Sequence, residues 1–129
     1  MSDALHGMDA DRPLIWLGSP LDDLRRMPED VKDTFGYALQ IVQEGGTAPH
    51  VKPLRGFGGA SVLEIRDDFD GDTYRTVFTV RFADAIYVLH AFQKKSRVGR
   101  KTSQHDLALI RQRLADAAKH HSEHFGGRV

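Results

Sequence analysis

"TYRTVFTVRF", residues 73–82, is the stretch on which the fold turns. It alternates over ten positions: Tyr74, Phe78, Val80 and Phe82 mark one side, and Arg75, Val77, Thr79 and Arg81 the other. A period of two is the signature of a strand with two different faces. Just upstream, Asp70–Gly71 is a favourable two-residue hairpin turn. Before it, "SVLEIR" (61–66) alternates again, Leu63 and Ile65 against Glu64 and Arg66. Downstream, "ADA" turns the chain into "IYVLHAF" (86–92), which is apolar on both faces and so expected inside the sheet. Three successive strands of this kind read as an antiparallel meander.

The flanks supply helices. "PLIWL" (13–17) reads as a short strand starting at its proline. "SPLDDLRRM" then has Ser19 to cap, Pro20 at the first helical position and Asp22 three residues after the cap. Pro28 suits the first turn of a second helix, in which Val31, Phe35, Leu39 and Val42 recur at helical spacing until Gly45–Gly46 stops it. The segment 47–60, rich in Gly and Pro, reads as an ordered loop. Ser103 with Asp106 marks another capping box, opening a helix with Leu107, Ile110 and Leu114 on one stripe. The expected class is α+β, in the order β-α-α-β-β-β-α, with the helices packed on one face of the meander. The domain is expected over residues 13–121, with residues 1–12 a frayed extension and 122–129 a frayed tail.

Composition narrows the functional classes. The chain has no cysteine, which removes disulfides and thiol chemistry together and suits a cytoplasmic protein. Its 18 basic and 18 acidic residues cancel, so any binding of nucleic acid must be local. Basic charge is concentrated in one place. "FQKKSRVGRKT" (92–102) carries Lys94, Lys95, Arg97, Arg100 and Lys101 with no acid, where the last meander strand ends.

The polar sides of the strands point the same way. Glu64 and Arg66 come from one strand and Arg75 from the next, while Lys52 and Arg55 lie in the preceding loop. Cations beside a carboxylate suit a phosphate that gains charge as it is attacked. In RNA the 2′-OH is a built-in nucleophile, so cleavage needs a base, an acid and electrostatics but no metal. The alternatives stand beside this. Arg75 can simply pair with Glu64 across the strands, and the basic run can be a solvated loop. His90 is either a proton carrier or a satisfied core histidine, and His50 is a second candidate. His120 and His124 sit four apart on the last helix, but no HExxH pattern or supporting ligand accompanies them, so no metal or other cofactor is expected. The glycines of "GFGGA" precede no helix and make no dinucleotide fingerprint.

Over roughly residues 13–118, "KPLRG", the "LEIR" strand, "YRTVFTVRF" and "YVLHAFQKKS", in this order, resemble the phage-derived, HigB-like branch of the RelE/ParE toxin superfamily. The resemblance implies a compact RelE-like fold and the toxin of a type II toxin–antitoxin pair. It implies a helix-turn-helix antitoxin as partner, with a heterotetramer as one arrangement of the complex. It also implies metal-independent endoribonuclease activity on mRNA at the ribosome, inhibiting translation. Lys52 and Arg55 then match a basic loop that contacts RNA or ribosome; Arg66 matches a cation of the catalytic face; Lys94 and Lys95 match the group holding the scissile phosphate. Arg75, Arg97, Arg100 and Lys101 would steer or grip RNA. Two departures leave the base open among His90, Glu64 and a lysine. "RKTSQHDL" lacks the tyrosine that some relatives carry there, and no histidine–acid pair near the C-terminus is visible. The competing readings are a gyrase inhibitor of the ParE kind and a member that only binds its antitoxin.

Overall fold

The computed structural model describes residues 11–59, 61–94 and 102–126. Lys95, Arg97, Arg100 and Lys101 therefore lie outside the described residues, as do residues 1–10 and 127–129. The elements are β1 (Leu14–Trp16), α1 (Pro20–Arg25), α2 (Glu29–Gln43), β2 (Val51–Pro53), β3 (Val62–Phe69), β4 (Asp72–Thr79), β5 (Ile86–Lys94) and α3 (Gln104–His124). Among the described residues the strands form one sheet in the order β1-β5-β4-β3-β2.

The α+β meander is present as read, and Asp70 and Gly71 both take the positive φ that a tight two-residue hairpin demands. Two strands add to it. β2 pairs antiparallel with β3 inside what reads as a loop, where three residues are too few to show a period. Its Lys52 and Pro53 suit an outer strand, since a charge and a missing N–H both discourage further pairing. β1 lies parallel to β5 on the other edge, Leu14 opposite Ile86 and Trp16 opposite Val88. β5 is thus interior, as its apolar sequence requires.

The helices do not share a face, contrary to the sequence reading. Val31, Phe35, Leu39 and Val42 of α2 pack on Ile65, Phe78, Ile86 and Val88. Ile110 and Ala117 of α3 pack on the opposite side, against Val62, Val77, Tyr87 and Leu89. An amphipathic stripe shows that a helix has a buried side but not which side of a two-faced sheet receives it. Because β5 is apolar on both faces and β4 is buried along most of its length, each face needs a cover. Phe82 also changes sides: β4 ends at Thr79, and the ring stacks on His121 and meets Tyr87 edge-on, beneath α3. α3 continues to His124, past the expected boundary at 121.

The end of α3 nearest the basic segment is capped as its sequence suggests. Ser103 Oγ accepts from Asp106 N at 3.1 Å and donates to Asp106 Oδ2 at 2.7 Å. At α1 the side chain of Ser19 makes no cap and instead donates to Asp23 Oδ2 at 2.8 Å.

Candidate functional site

The α3 face of the sheet carries the polar residues singled out in the sequence, and strand register places them in rows. Lys52, Glu64, Val77 and His90 form one row across β2, β3, β4 and β5. Arg66, Arg75 and Phe92 form the next, and Asp68, Thr73 and Lys94 the one after. Rows on one face repeat at roughly 7 Å and strands at roughly 4.8 Å, so the Cα atoms of Arg66 and Lys94 are roughly 12 Å apart. Two long side chains can close that gap on one phosphate.

His90 reaches this face only through an irregularity in the sheet. Phe78 is opposite Val88 but Val77 is opposite His90, leaving Leu89 as an extra residue. Plain alternation from Ile86 and Val88 would turn His90 toward α2. The bulge reverses its direction and brings it under the start of α3. Arg113 of α3 secures the bulge by donating from Nη1 to Leu89 O at 2.9 Å, and its Nη2 reaches Ser19 Oγ at 3.4 Å.

His90 Nε2 lies 2.8 Å from Asp106 Oδ1. This is a histidine–acid pair that sequence reading does not find, since Asp106 reads as a helix cap 16 residues away. Burial alone would raise the Asp106 pKa, but hydrogen bonds from Ser103 and His90 outweigh it and leave the carboxyl below its ordinary value. The carboxylate can only accept, so the imidazole proton sits on Nε2 and Nδ1 keeps its lone pair. That Nδ1 is buried and has no partner. Burial lowers the His90 pKa more than Asp106 raises it, with Arg113 adding to the fall, so the ring is neutral at pH 7.

A pH dependence follows. Unfolded His90 takes a proton near the ordinary histidine value of 6.5, whereas the folded ring takes it only at lower pH. The unfolded state then holds more protons in that window, so stability is complete above about pH 6.5 and falls as pH drops toward the folded value. Urea unfolding of wild type and His90→Gln between about pH 5 and about pH 7.5 should show a shallower slope for the variant. Parallel slopes would contradict it.

Glu64 and Arg75 are taken up with one another. Their side chains meet at 3.4 Å, with Glu64 5% and Arg75 3% exposed. Arg75 Nη1 also donates to Thr102 Oγ1 at 3.2 Å, tying the approach to α3 to the sheet. Of the readings open for these two residues, candidate base and RNA contact or a pair across the strands, the pair is present and buried. The remaining cations are nearer solvent. The Arg66 side chain is 24% exposed, with Nε 3.4 Å from Asp68 Oδ1. His50, Lys52, Arg66, Asp67 and Asp68 line a cavity of about 410 Å³. Lys52 and Arg55 are exposed, Arg55 on the turn that follows β2. His50 holds a positive φ of 66° and accepts from Arg66 N through its carbonyl at 3.1 Å. The residues that sequence reading misses are thus Asp106, Arg113 and Thr102, all on or beside α3.

Among the described residues, no helix is long and apolar enough to cross a membrane. The model of the family described as phage derived protein Gp49-like matches residues 22–115. The fold is similar to that of the E. coli toxin RelE, solved in the free state as an arginine double mutant. That match has 18% identity, covers 81% of this chain and 98% of the other, and has a TM-score of 0.56. The RelBE2 toxin–antitoxin complex of Mycobacterium tuberculosis matches with 16% identity over 67% of this chain and 95% of its own, at a TM-score of 0.45. No curated protein matches the chain.

Proposed function

Since this chain belongs to the Gp49-like family of phage-derived proteins and has a RelE-like fold, we propose that it is the toxin of a type II toxin–antitoxin pair, an endoribonuclease that cuts mRNA on the ribosome. The observation that carries this reading is the shared face on which Lys52, Arg66, His90 and Lys94 stand in adjacent rows. Arg66 and Lys94 hold the non-bridging oxygens of the scissile phosphate, with Lys95 joining them from outside the described residues. Fixed cations there stabilise the extra charge of the pentacovalent state. His90 Nδ1 takes the 2′-OH proton, the 2′-oxygen attacks phosphorus as the bond from phosphorus to the 5′-oxygen breaks, and the 5′-oxygen takes a proton from water. The products are a 2′,3′-cyclic phosphate and a 5′-OH end. Asp106 holds the imidazole in the tautomer that leaves Nδ1 basic. Substrate must displace the cover over Nδ1, as catalytic contacts often close only with substrate bound.

Lys52 and Arg55, with Arg97, Arg100 and Lys101, supply the grip on RNA, and a helix-turn-helix antitoxin restrains the protein by covering the cationic face or its approach to the ribosome. Each lysine lost from such a grip weakens binding for all sequences alike and flattens its salt dependence. Lys52→Ala should lower the slope of log affinity against log salt by about 0.7–1. An unchanged slope would place Lys52 outside the RNA path.

One observation favours a second reading, in which the protein only binds its antitoxin: two of the proton-accepting candidates, Glu64 and His90, are buried. Induced expression in bacteria separates the two. The nuclease reading expects arrested translation with mRNA ends at ribosome-positioned codons, relieved by Arg66→Ala. Harmless expression of folded protein supports the binding-only reading, and intact mRNA with damaged DNA points to gyrase.

A further inference from the structure

His90 faces α3 because of the bulge at Leu89, and the contacts around that bulge run through one side chain. β1 ends opposite Val88, with Leu17 N donating to Val88 O at 3.1 Å, so on that edge β1 does not continue beside Leu89. Arg113 supplies a donor there, its Nη1 lying 2.9 Å from Leu89 O. Its Nη2 lies 3.4 Å from Ser19 Oγ, which in turn donates to Asp23 Oδ2 at 2.8 Å. The guanidinium is seated against Gly18. A Cβ at that position would come within 2.9 Å of its carbon and of two of its nitrogens. Gly18 also holds a φ of 81°, in the left-handed region that glycine enters without strain. Both hydrogen bonds of Arg113 go to uncharged oxygens, so among the described residues its charge has no direct carboxylate partner.

We propose that Arg113, seated against Gly18, is a positioning residue for His90: it fixes the bulge that turns the ring toward Asp106, and it sets a positive charge beside that ring. The inference rests on the reading of His90 as the base. Its first half is mechanical. A bulge leaves its extra residue out of the ladder, so the Leu89 carbonyl depends on whatever donor is brought to it. With Leu89 O unanchored, β5 is free to return to plain alternation, which turns His90 toward α2. The second half concerns the proton. Asp106 and Arg113 from α3, and Asp23 from α1, are the charged groups that face the ring. The two carboxylates favour the protonated imidazole and Arg113 opposes them, so Arg113 keeps Nδ1 free to accept. In the proposed chemistry Arg113 touches neither the phosphate nor the 2′-OH. It acts only through His90.

Titration of the His90 ring by NMR in the full chain tests this, with His90→Gln identifying its signal. In Arg113→Met the ring should take its proton at higher pH than in wild type, and the acid limb of the cleavage rate–pH profile should move up with it. Arg113→Lys, which keeps the charge, should stay closer to wild type in both. Gly18→Ala, which unseats the guanidinium, should shift the titration in the same direction as Arg113→Met. In the Arg113→Met background Gly18→Ala should shift it no further, although its strained backbone lowers stability in either background. Wild-type titration of His90 in folded Arg113→Met overturns the inference, and so does wild-type titration in folded Gly18→Ala should Arg113→Met not fold. A rate lowered equally at every pH, with the acid limb unmoved, gives Arg113 a role in stability alone and equally overturns it. The titration is read without RNA, so it decides the inference by itself, whereas a wild type that cleaves nothing counts against the proposed function.

Discussion

Arg75→Ala should lower the unfolding free energy by about 3–5 kcal/mol, because it leaves the Glu64 carboxylate buried without its counter-ion. For a chain of this size that corresponds to a fall in melting temperature of roughly 10–20 °C. The size of the effect comes from desolvation and not from the attraction itself. An exposed cross-strand pair would contribute about 0.2–1 kcal/mol, but these side chains are 4% and 7% exposed and meet at 3.4 Å. Replacing both partners, Glu64→Met with Arg75→Met, should recover most of the loss, since apolar residues of similar volume have no charge to bury. The single variant also removes the bond to Thr102, so the start of α3 should exchange its amide hydrogens faster. A loss below about 1 kcal/mol in urea unfolding of Arg75→Ala would show that solvent reaches the pair, and would return Arg75 to the list of RNA contacts.

The same pair shows how far the sequence could be read. The alternation of 73–82 and the Asp70–Gly71 turn give the hairpin directly, and with them the shared face of Glu64, Arg66 and Arg75. What alternation cannot give is burial. That depends on α3 lying over this face, and an amphipathic stripe does not say which side of the sheet it will cover. Nor can it reveal the bulge between Val77 and Phe78, because one extra residue changes no side chain's chemistry, only its direction. His90 is therefore legible as a candidate while its orientation is not. Asp106 is legible as a cap, and its second oxygen, turned to His90 Nε2, is not. The segment from 95 to 101 stays a reading of sequence alone, as do the individual roles of its cations.

His90→Ala should lower the rate of RNA cleavage by about 10²–10⁴-fold, the range that a positioned general base contributes. Asp106→Ala should act in the same direction and less severely, since the imidazole would remain but lose the carboxylate that fixes its tautomer. Its rate–pH profile should also shift, because the carboxylate hydrogen bond and charge support the protonated ring. If His90 were only a packed core residue, His90→Gln that folds like wild type would cleave like wild type, and the base would have to be sought elsewhere. Fold loss is distinguished from chemical loss by comparing melting curves of the variants with that of Arg75→Ala, whose effect is assigned to stability.

On the proposed function, the cationic face cleaves RNA on the ribosome. This is tested most directly by adding the purified protein to translating ribosomes carrying a defined mRNA and mapping the new ends. Cuts are expected at ribosome-positioned codons, bearing 2′,3′-cyclic phosphate and 5′-OH termini, with wild type and not with folded Arg66→Ala, Lys94→Ala protein. Intact mRNA under these conditions, or cuts that the double variant still makes, would contradict it.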